Sequence, residues 1–415
     1  KQSHGISSGY YIAKTSRSDQ LPAWNDIQGK PDLALSSDLA AHKADGAAHS
    51  KTARFVVGTS TAGWTSADCD YLCDGTADQA EINAAIKALP ATGGEIVILD
   101  GTYNITAKIN VTKDNVSIRG NGNVTILRRM FNSAYYAEGV ITLTGRSNCK
   151  IANLQVDGNG VSYTDSSNNG IYLKNSSNNT ITDIACNNNS GRSIYLESSS
   201  NNTITGNTCN NNSGRGIYLE SSSNNTITGN TCNNNSSNNG IYLSVSSNNN
   251  TITGNACNNN STGIYLESSS NNTVTSNTYN NNNYGIYIRS SSNNTITGNT
   301  CNNNGTGISL LDSSNNTITG NACIRGTGQT SDYASNQYTI RLQSNANNYN
   351  LIFSNNCMGK VPLVEGGTGN TVFNNKWNES SDFENLRADV IAHKADAAPH
   401  SGHETPSGAQ AKVDA

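Results

Sequence analysis

Residues 216–235 read GIYLESSSNNTITGNTCNNN, and the stretch from Ile171 to Cys323 repeats this unit seven times with small changes. The apolar residue at the centre of its NTIT element falls at Ile181, Ile204, Ile227, Ile252, Val274, Ile296 and Ile318, at intervals of 22 to 25 residues. Five positions later come Cys186, Cys209, Cys232, Cys257, Tyr279, Cys301 and Cys323. A period of this length, made of short β-prone runs separated by turn residues, describes a solenoid in which each repeat is one coil. Each position of the unit is then copied along a column, so function must be sought in rows of side chains.

Within GIYLE the alternation is strand-like: Ile217 and Leu219 face inward, Tyr218 and Glu220 outward. A second strand, Thr226-Ile227-Thr228, turns its isoleucine in and its threonines out, and a third short strand carries Cys232. Asparagine and serine fill the corners because they tolerate left-handed turn geometry and bond their own backbone. Stacked corner asparagines can also hydrogen-bond from coil to coil. Three short strands per coil predict an all-β fold, a right-handed parallel β-helix, the hand following from the preference of parallel crossovers. Most of the ten cysteines sit once per coil at one phase, about 4.8 Å apart. Their Cβ vectors run parallel rather than towards each other, so a buried ladder of free thiols is expected. Cys69 and Cys73, close together in a loop-like stretch, are candidates for a local bridge.

Composition agrees with an elongated body. Of the 415 residues 34% are hydrophobic and 13% charged, low for a globular enzyme. Disorder is excluded by the periodic placement of the apolar residues. The net charge of -4 and the absence of a long basic run argue against a nucleic-acid partner. No segment reaches about 18 consecutive apolar residues, so no membrane span is expected. The chain opens on Lys1 without an apolar leader-like stretch, which reads as a fragment or processed form in which secretion is not visible.

A solenoid needs its open end covered. Thr76-Ala-Asp-Gln79 reads as a capping box, followed by a helix with Ile82, Ala85, Ile86 and Leu89 on one face and Pro90 as its stop. GGEIVILDGTYNI, residues 93–105, then begins the first coil. Residues 74–105, DGTADQAEINAAIKALPATGGEIVILDGTYNI, resemble the N-terminal signature of the pectate-lyase-like β-helix superfamily common in phage tailspikes. The NNTITGN repeats resemble those of periplasmic copper-protein and carbohydrate-binding β-helices. Together these resemblances cover roughly residues 74–378, and they speak to fold more than to activity.

Outside the solenoid, DLAAHKADGAAHS (38–50) returns as DVIAHKADAAPHS (389–401), with nine of thirteen positions identical. Each copy holds two histidines seven residues apart, His42/His49 and His393/His400. These read as connectors or module junctions; a metal site shared by a trimer is the alternative. LPAWNDIQGKPDLAL, residues 21–35, resembles the short linking modules of phage tail fibres, which implies a homotrimer that joins other tail or baseplate proteins. The expected organisation is a connector at 1–50, an N-terminal cap at 51–92, the β-helix at 93–378 and a second connector at 379–415.

All six histidines lie outside the repeats, which excludes a Ser-His-Asp triad or a histidine-rich zinc site on the column. Tyr172, Tyr195, Tyr218, Tyr242, Tyr265 and Tyr287 form an outward row. Exposed phenol rings would suit the C–H faces of sugars, and the structural alternative is stacking that stabilises the column. Arg192 and Arg215, just before the strands, join the tyrosines as carbohydrate-binding candidates. Glu197 and Glu220 should sit on adjacent coils, with carboxyls about 5 Å apart as in a retaining glycosidase, and one pKa raised by the other's charge. The alternative is a solvated repeat position.

The repeat breaks in three places, where the path back to the GIYL strand lengthens: Leu127 to Ile141, Val156 to Ile171 and Cys323 to Ile340. Solenoid insertions tend to carry binding function, and these hold Arg128, Arg129, Tyr135, Tyr136 and Glu138, then Asp157, Tyr163 and Asp165, then Arg325, Asp332 and Tyr333. They are expected to project beside the tyrosine row and close the ends of a groove. Asp157 and Asp165 thereby join Glu197 and Glu220 as catalytic candidates, although the DGN around Asp157 is often structural in the resembled superfamily. A complete polygalacturonase aspartate set is missing, as is a calcium cluster with an arginine base.

The resemblances imply a virion-tail or otherwise extracellular receptor-binding protein. It would recognise, and in one version depolymerise, a cell-surface polysaccharide as a hydrolase or lyase, with no cofactor or metal. A non-catalytic spacer or adhesin is the alternative. A minor one is ice binding through the two threonine columns beside each NTIT isoleucine, which resemble those of antifreeze solenoids; strand propensity explains them equally. The N-x-T sequons invite a glycoprotein reading as well, but asparagines packed in ladders are poor acceptors.

Overall fold

The computed structural model describes residues 53–133, 138–235, 238–324, 338–358 and 367–376, and the backbone of 363 and 364. The expected connectors at 1–50 and 379–415, with all six histidines, lie outside the described residues, as do Tyr135, Tyr136, Arg325, Asp332 and Tyr333. The fold is the right-handed parallel β-helix expected from the repeat. Two parallel sheets, one of fifteen strands and one of eleven, run the length of the column. The longer sheet carries the TIT strands, such as Thr203–Thr205 and Thr226–Thr228. The shorter carries the GIYLE strands, such as Ile194–Glu197 and Ile217–Glu220.

The third strand differs from the expectation. In the first coils it fuses with the second, in Lys150–Asp157 and Thr180–Asn187. Beyond them it shrinks to a single bridged residue per coil, Thr208, Thr231, Ala256, Thr278, Thr300 and Ala322. The residue directly after the second strand is left-handed in both kinds of coil, Gly206 (φ 66°) and Gly229 (φ 62°) in the later ones and Asp183 (φ 55°) in the fused strand, so every coil turns at this point.

Register is kept by hydrogen-bonded asparagines at the corners, as expected. Asn207, Asn230, Asn255, Asn277 and Asn299 are buried, and each donates its side-chain amide to the next at 2.9–3.0 Å. Each side-chain oxygen also accepts a backbone N–H from the preceding coil, Ile184 N to Asn207 Oδ1 and Asn207 N to Asn230 Oδ1 both at 3.0 Å. A parallel ladder runs from Asn202 through Asn225 and Asn250 to Asn272. Burying so many amides is tolerated because nearly every one is satisfied by its copy one coil away.

The core is a stack of Ile, Leu and Val with Cys186, Cys209, Cys232, Cys257, Cys301 and Cys323 buried and free. Cys69 and Cys73 are also free, which corrects the expected bridge. Cys69 Sγ donates to the Thr65 carbonyl at 3.3 Å, whereas Cys73 is buried and donates to the Asp78 carbonyl at 3.6 Å.

Helix α1, Gln79–Ala88, closes the N-terminal end with Ile82, Ala85, Ile86 and the following Leu89 buried against the first coils. Its capping box does not form. Asp78 is drawn inward instead and accepts the Gly75 and Asn104 backbone N–H groups at 2.8 and 2.6 Å. Gln79 Oε1 accepts from Thr106 N at 2.9 Å. Both acceptors thus tie the helix to the first coil. The strands Arg54–Thr59 and Tyr71–Cys73 extend the longer sheet past Gly94–Ile98.

Candidate functional site

The outer face of the shorter sheet brings the predicted tyrosine and glutamate rows together. In-register pairing aligns Tyr172, Tyr195, Tyr218, Tyr242, Tyr265 and Tyr287. Neighbouring ring centroids are 4.8–5.1 Å apart, and Tyr284 adds a seventh ring 4.9 Å from Tyr287. The exposed aromatic platform is not found. Tyr172, Tyr195, Tyr218 and Tyr242 are only 0–7% exposed, because rings stacked at the coil rise cover one another's faces. What the stack offers a ligand is its edge.

The phenols run diagonally to acids one coil further on: Tyr172 to Glu197, Tyr195 to Glu220 and Tyr242 to Glu267. Where Ser244 replaces the acid, Tyr218 reaches its hydroxyl at 2.9 Å and also donates to Glu220 at 3.1 Å. Glu197 is closed further by Lys174 Nζ at 2.7 Å, and Glu267 by Arg289 at 3.3 Å. Partial burial acts to raise the Glu197 pKa, but the hydrogen bonds from Lys174 and Tyr172 outweigh it and hold the carboxyl below its ordinary value. That overturns the expectation of a raised acid here. Glu197 and Glu220 are register partners on adjacent coils, and each accepts a hydrogen bond from the phenol one coil before it, Tyr172 and Tyr195 respectively.

Arg192 and Arg215 border the same row. The Arg215 guanidinium lies 4.7 and 4.5 Å from the Tyr218 and Tyr242 centroids, and that of Arg192 lies 4.9 Å from Tyr195. Burial, and then the charge of Arg192, lower the Arg215 pKa. Among the described residues no hydrogen bond or carboxylate answers the Arg215 guanidinium, and its Nε is buried without a partner there.

The two aspartates do not join this face. Asp157 ends a strand of the longer sheet, where it pairs with Arg128 at 3.1 Å and accepts Asn159 N at 3.2 Å. Asp165 is exposed and accepts the Ser167 backbone N–H at 2.7 Å, and bonds from Ser167 lower its pKa. Both serve the loop between Val156 and Ile171. That loop does not project freely but lies on the next coil, where Ser190 donates to the Tyr163 carbonyl and Gly160 to the Asn188 carbonyl.

Arg129, expected in a projecting loop, is fully buried. It donates to the Asn169 carbonyl and, at 3.3 Å, to Asn168 Oδ1 and Ser133, with its guanidinium 4.3 Å from the Phe131 ring centroid. Burial lowers its pKa to about 10. One cation thus fastens the first two long loops at the head of the tyrosine row. An arginine inside a break of the repeat was the signal available in sequence; its inward direction was not.

Fold and face define a parallel β-helix with a charged, aromatic-edged ledge along one sheet. By its sequence the chain belongs to the family described as periplasmic copper-binding protein (NosD), whose model matches residues 81–261, 153–352 and 236–389. No curated protein matches it. Among solved structures it is similar to the A-module of mannuronan C-5 epimerase AlgE4 from Azotobacter vinelandii, at 18% identity and TM-score 0.54 over 77% of this chain and 99% of that one. The Dettilon tailspike protein matches at 18% identity and TM-score 0.55, over 74% of this chain and 66% of that one. The endo-xylogalacturonan hydrolase of Aspergillus tubingensis matches at 17% and TM-score 0.50, over 79% and 94%. At these identities the likeness concerns the fold, that of phage tailspikes and pectate-lyase-like β-helix enzymes alike.

The family description raises copper, and the described residues do not fit it. Copper favours imidazole, thiolate and thioether donors. None of the described residues is a histidine, and the column thiols are sealed in the core. Cys73, Asp78 and Glu81 are the group of three candidate ligands whose donor atoms lie within 4.8 Å of one another. There the Asp78 carboxylate already accepts two backbone N–H groups, and burial pushes the Cys73 thiol far above its ordinary range.

Proposed function

We propose that this protein binds a cell-surface polysaccharide outside the cytoplasm along the ledge of the shorter sheet, without cleaving it. The half-buried, unanswered Arg215 beside the phenol-bound glutamates carries this reading. A guanidinium left without an internal acceptor needs one from outside, and sugar hydroxyls and carboxylates supply it. Lys174, Glu220, Glu267 and Arg289 continue the line of donors and acceptors at one coil spacing, which suits an extended polymer. Ring faces play no part, because the stack hides them.

Cleavage is disfavoured because the four carboxylate candidates fall into two places. Asp157 and Asp165 are engaged by the loop beyond the longer sheet, and Glu197 is held ionised, which is unsuited to a general acid. The resemblance of residues 21–35 to tail-fibre linkers supports a homotrimer of fibre-like build, attached to neighbouring proteins through the flanks.

A panel of immobilised acidic and neutral surface polysaccharides tests the function. Binding of the full chain, weakened about tenfold or more by Arg215→Gln, with no reducing ends released, is the expected result. No binding anywhere on the panel overturns the reading, and release of reducing ends replaces it with the enzymatic one. A mass in light scattering near three times 43.8 kDa supports the trimer, and a monomer mass removes it.

A further inference from the structure

Seven coils carry the sequence Asn-Asn-Thr at the same corner, each an N-x-T acceptor motif. The expectation that ladder packing blocks them holds for the wrong asparagine. The second asparagine of each pair, such as Asn202, Asn225 and Asn250, is the buried ladder member. The first is the acceptor position of the motif: Asn178, Asn201, Asn224, Asn249, Asn271, Asn293 and Asn315. All seven are exposed and all adopt the left-handed conformation, with φ between 57° and 59°.

That conformation swings the acceptor side chain off the corner, away from the ladder. Among the described residues none of the seven side-chain amides has a hydrogen-bond partner, although Asn201 and Asn224 use their backbone N–H groups to reach Ser223 and Asn248. The threonine two positions on begins the TIT strand, with its side chain outward and its hydroxyl unengaged, as at Thr203 and Thr226. Exposure, a free amide and a free hydroxyl at the right spacing therefore coincide seven times on one edge.

We propose that this asparagine column is a site of N-linked glycosylation. An oligosaccharyltransferase would move a glycan from a polyisoprenyl-phosphate carrier. The bond from sugar C1 to the carrier oxygen breaks, a bond from C1 to the asparagine Nδ2 forms, and one amide proton leaves with the phosphate. Successive corners are about 4.8 Å apart, the strand spacing of a parallel stack. A branched glycan on one coil overhangs the next, so occupied corners are separated by at least one bare coil.

The test is peptide mapping by mass spectrometry of the full chain, secreted from a host that performs N-glycosylation and carrying an added control sequon at its C-terminus. Glycan is expected on several of the seven corner asparagines, on none of the ladder asparagines, and not on adjacent coils. Thr226→Val should remove it from Asn224 alone, with circular dichroism unchanged. Seven bare corners beside an occupied control sequon overturn the proposal. Glycan on the ladder asparagines, or on every consecutive corner, overturns its geometric basis.

Discussion

The phenol of Tyr195 donates its hydrogen bond to Glu220 on the following coil, not to Glu197 on its own strand. Repeated as Tyr172–Glu197 and Tyr242–Glu267, this diagonal links three pairs of neighbouring coils outside the core. A neutral phenol is the donor, so the link exists only while the tyrosine keeps its proton.

Alkali should therefore unfold the column through its tyrosines. Burial first, and then bonds to the glutamates, raise the pKa of Tyr172, Tyr195 and Tyr242, and burial raises that of Tyr265 to about 12. A free tyrosine titrates near pH 10. Between pH 10 and the raised values the unfolded chain has lost protons that the folded chain keeps, so stability is full below pH 10 and falls above it. Phenolate absorbance at 295 nm should rise late and together with loss of the β-sheet circular dichroism signal. Simple titration near pH 10 in a folded chain contradicts this.

Acid acts through Glu197 in the opposite sense. Its lowered pKa means that the carboxylate adds stability above the ordinary glutamate range, which is lost as pH falls through the folded value. Lys174→Met removes the stronger of the two bonds that offset burial. It should shift the acid-unfolding midpoint upward by a few tenths of a pH unit while leaving stability at pH 7 within about 1 kcal/mol, the usual worth of an exposed pair.

The asparagine ladder predicts a contrast between neighbours. Asn230→Ala leaves the Asn207 backbone N–H and the Ile204 carbonyl buried without partners. At about 1–3 kcal/mol per orphaned group, a loss of about 3 kcal/mol is expected in urea unfolding. Asn224→Ala, on the exposed corner, should cost about 1 kcal/mol for placing alanine in the left-handed region. Equal effects would show that the ladder does not hold the register.

Arg129→Met should unfasten two loops at once. It removes the donors to Asn168 and Asn169 from the interior, for an expected loss of about 2–4 kcal/mol. Limited proteolysis should then cut within residues 131–168 first, and an unchanged cleavage pattern would refute the fastening role.

Much of this was readable in advance, for a physical reason. A strand has period two and a coil a fixed rise, so Ile217, Leu219 and Ile227 could be placed inside, and Tyr218 outside, from the repeat alone. The cap helix face from Ile82 to Leu89 was legible in the same way. The capping box was not, because a box motif cannot show that Asp78 and Gln79 have stronger partners in the first coil.

The sequence by itself determined the column: its period, its inward apolar rows and its asparagine corners. These are local or nearest-neighbour properties, copied by each repeat. Only the tertiary structure decided which copies touch and with what result. It closed the tyrosine faces against each other, sent the phenols of Tyr172, Tyr195 and Tyr242 to the acid one coil on, turned Arg129 inward and left the Arg215 guanidinium without a carboxylate among the described residues. It also parted the asparagine of each pair that is locked in the ladder from the one that is free. Such outcomes depend on stacking distance, burial and left-handed corners, where residues far apart in sequence meet.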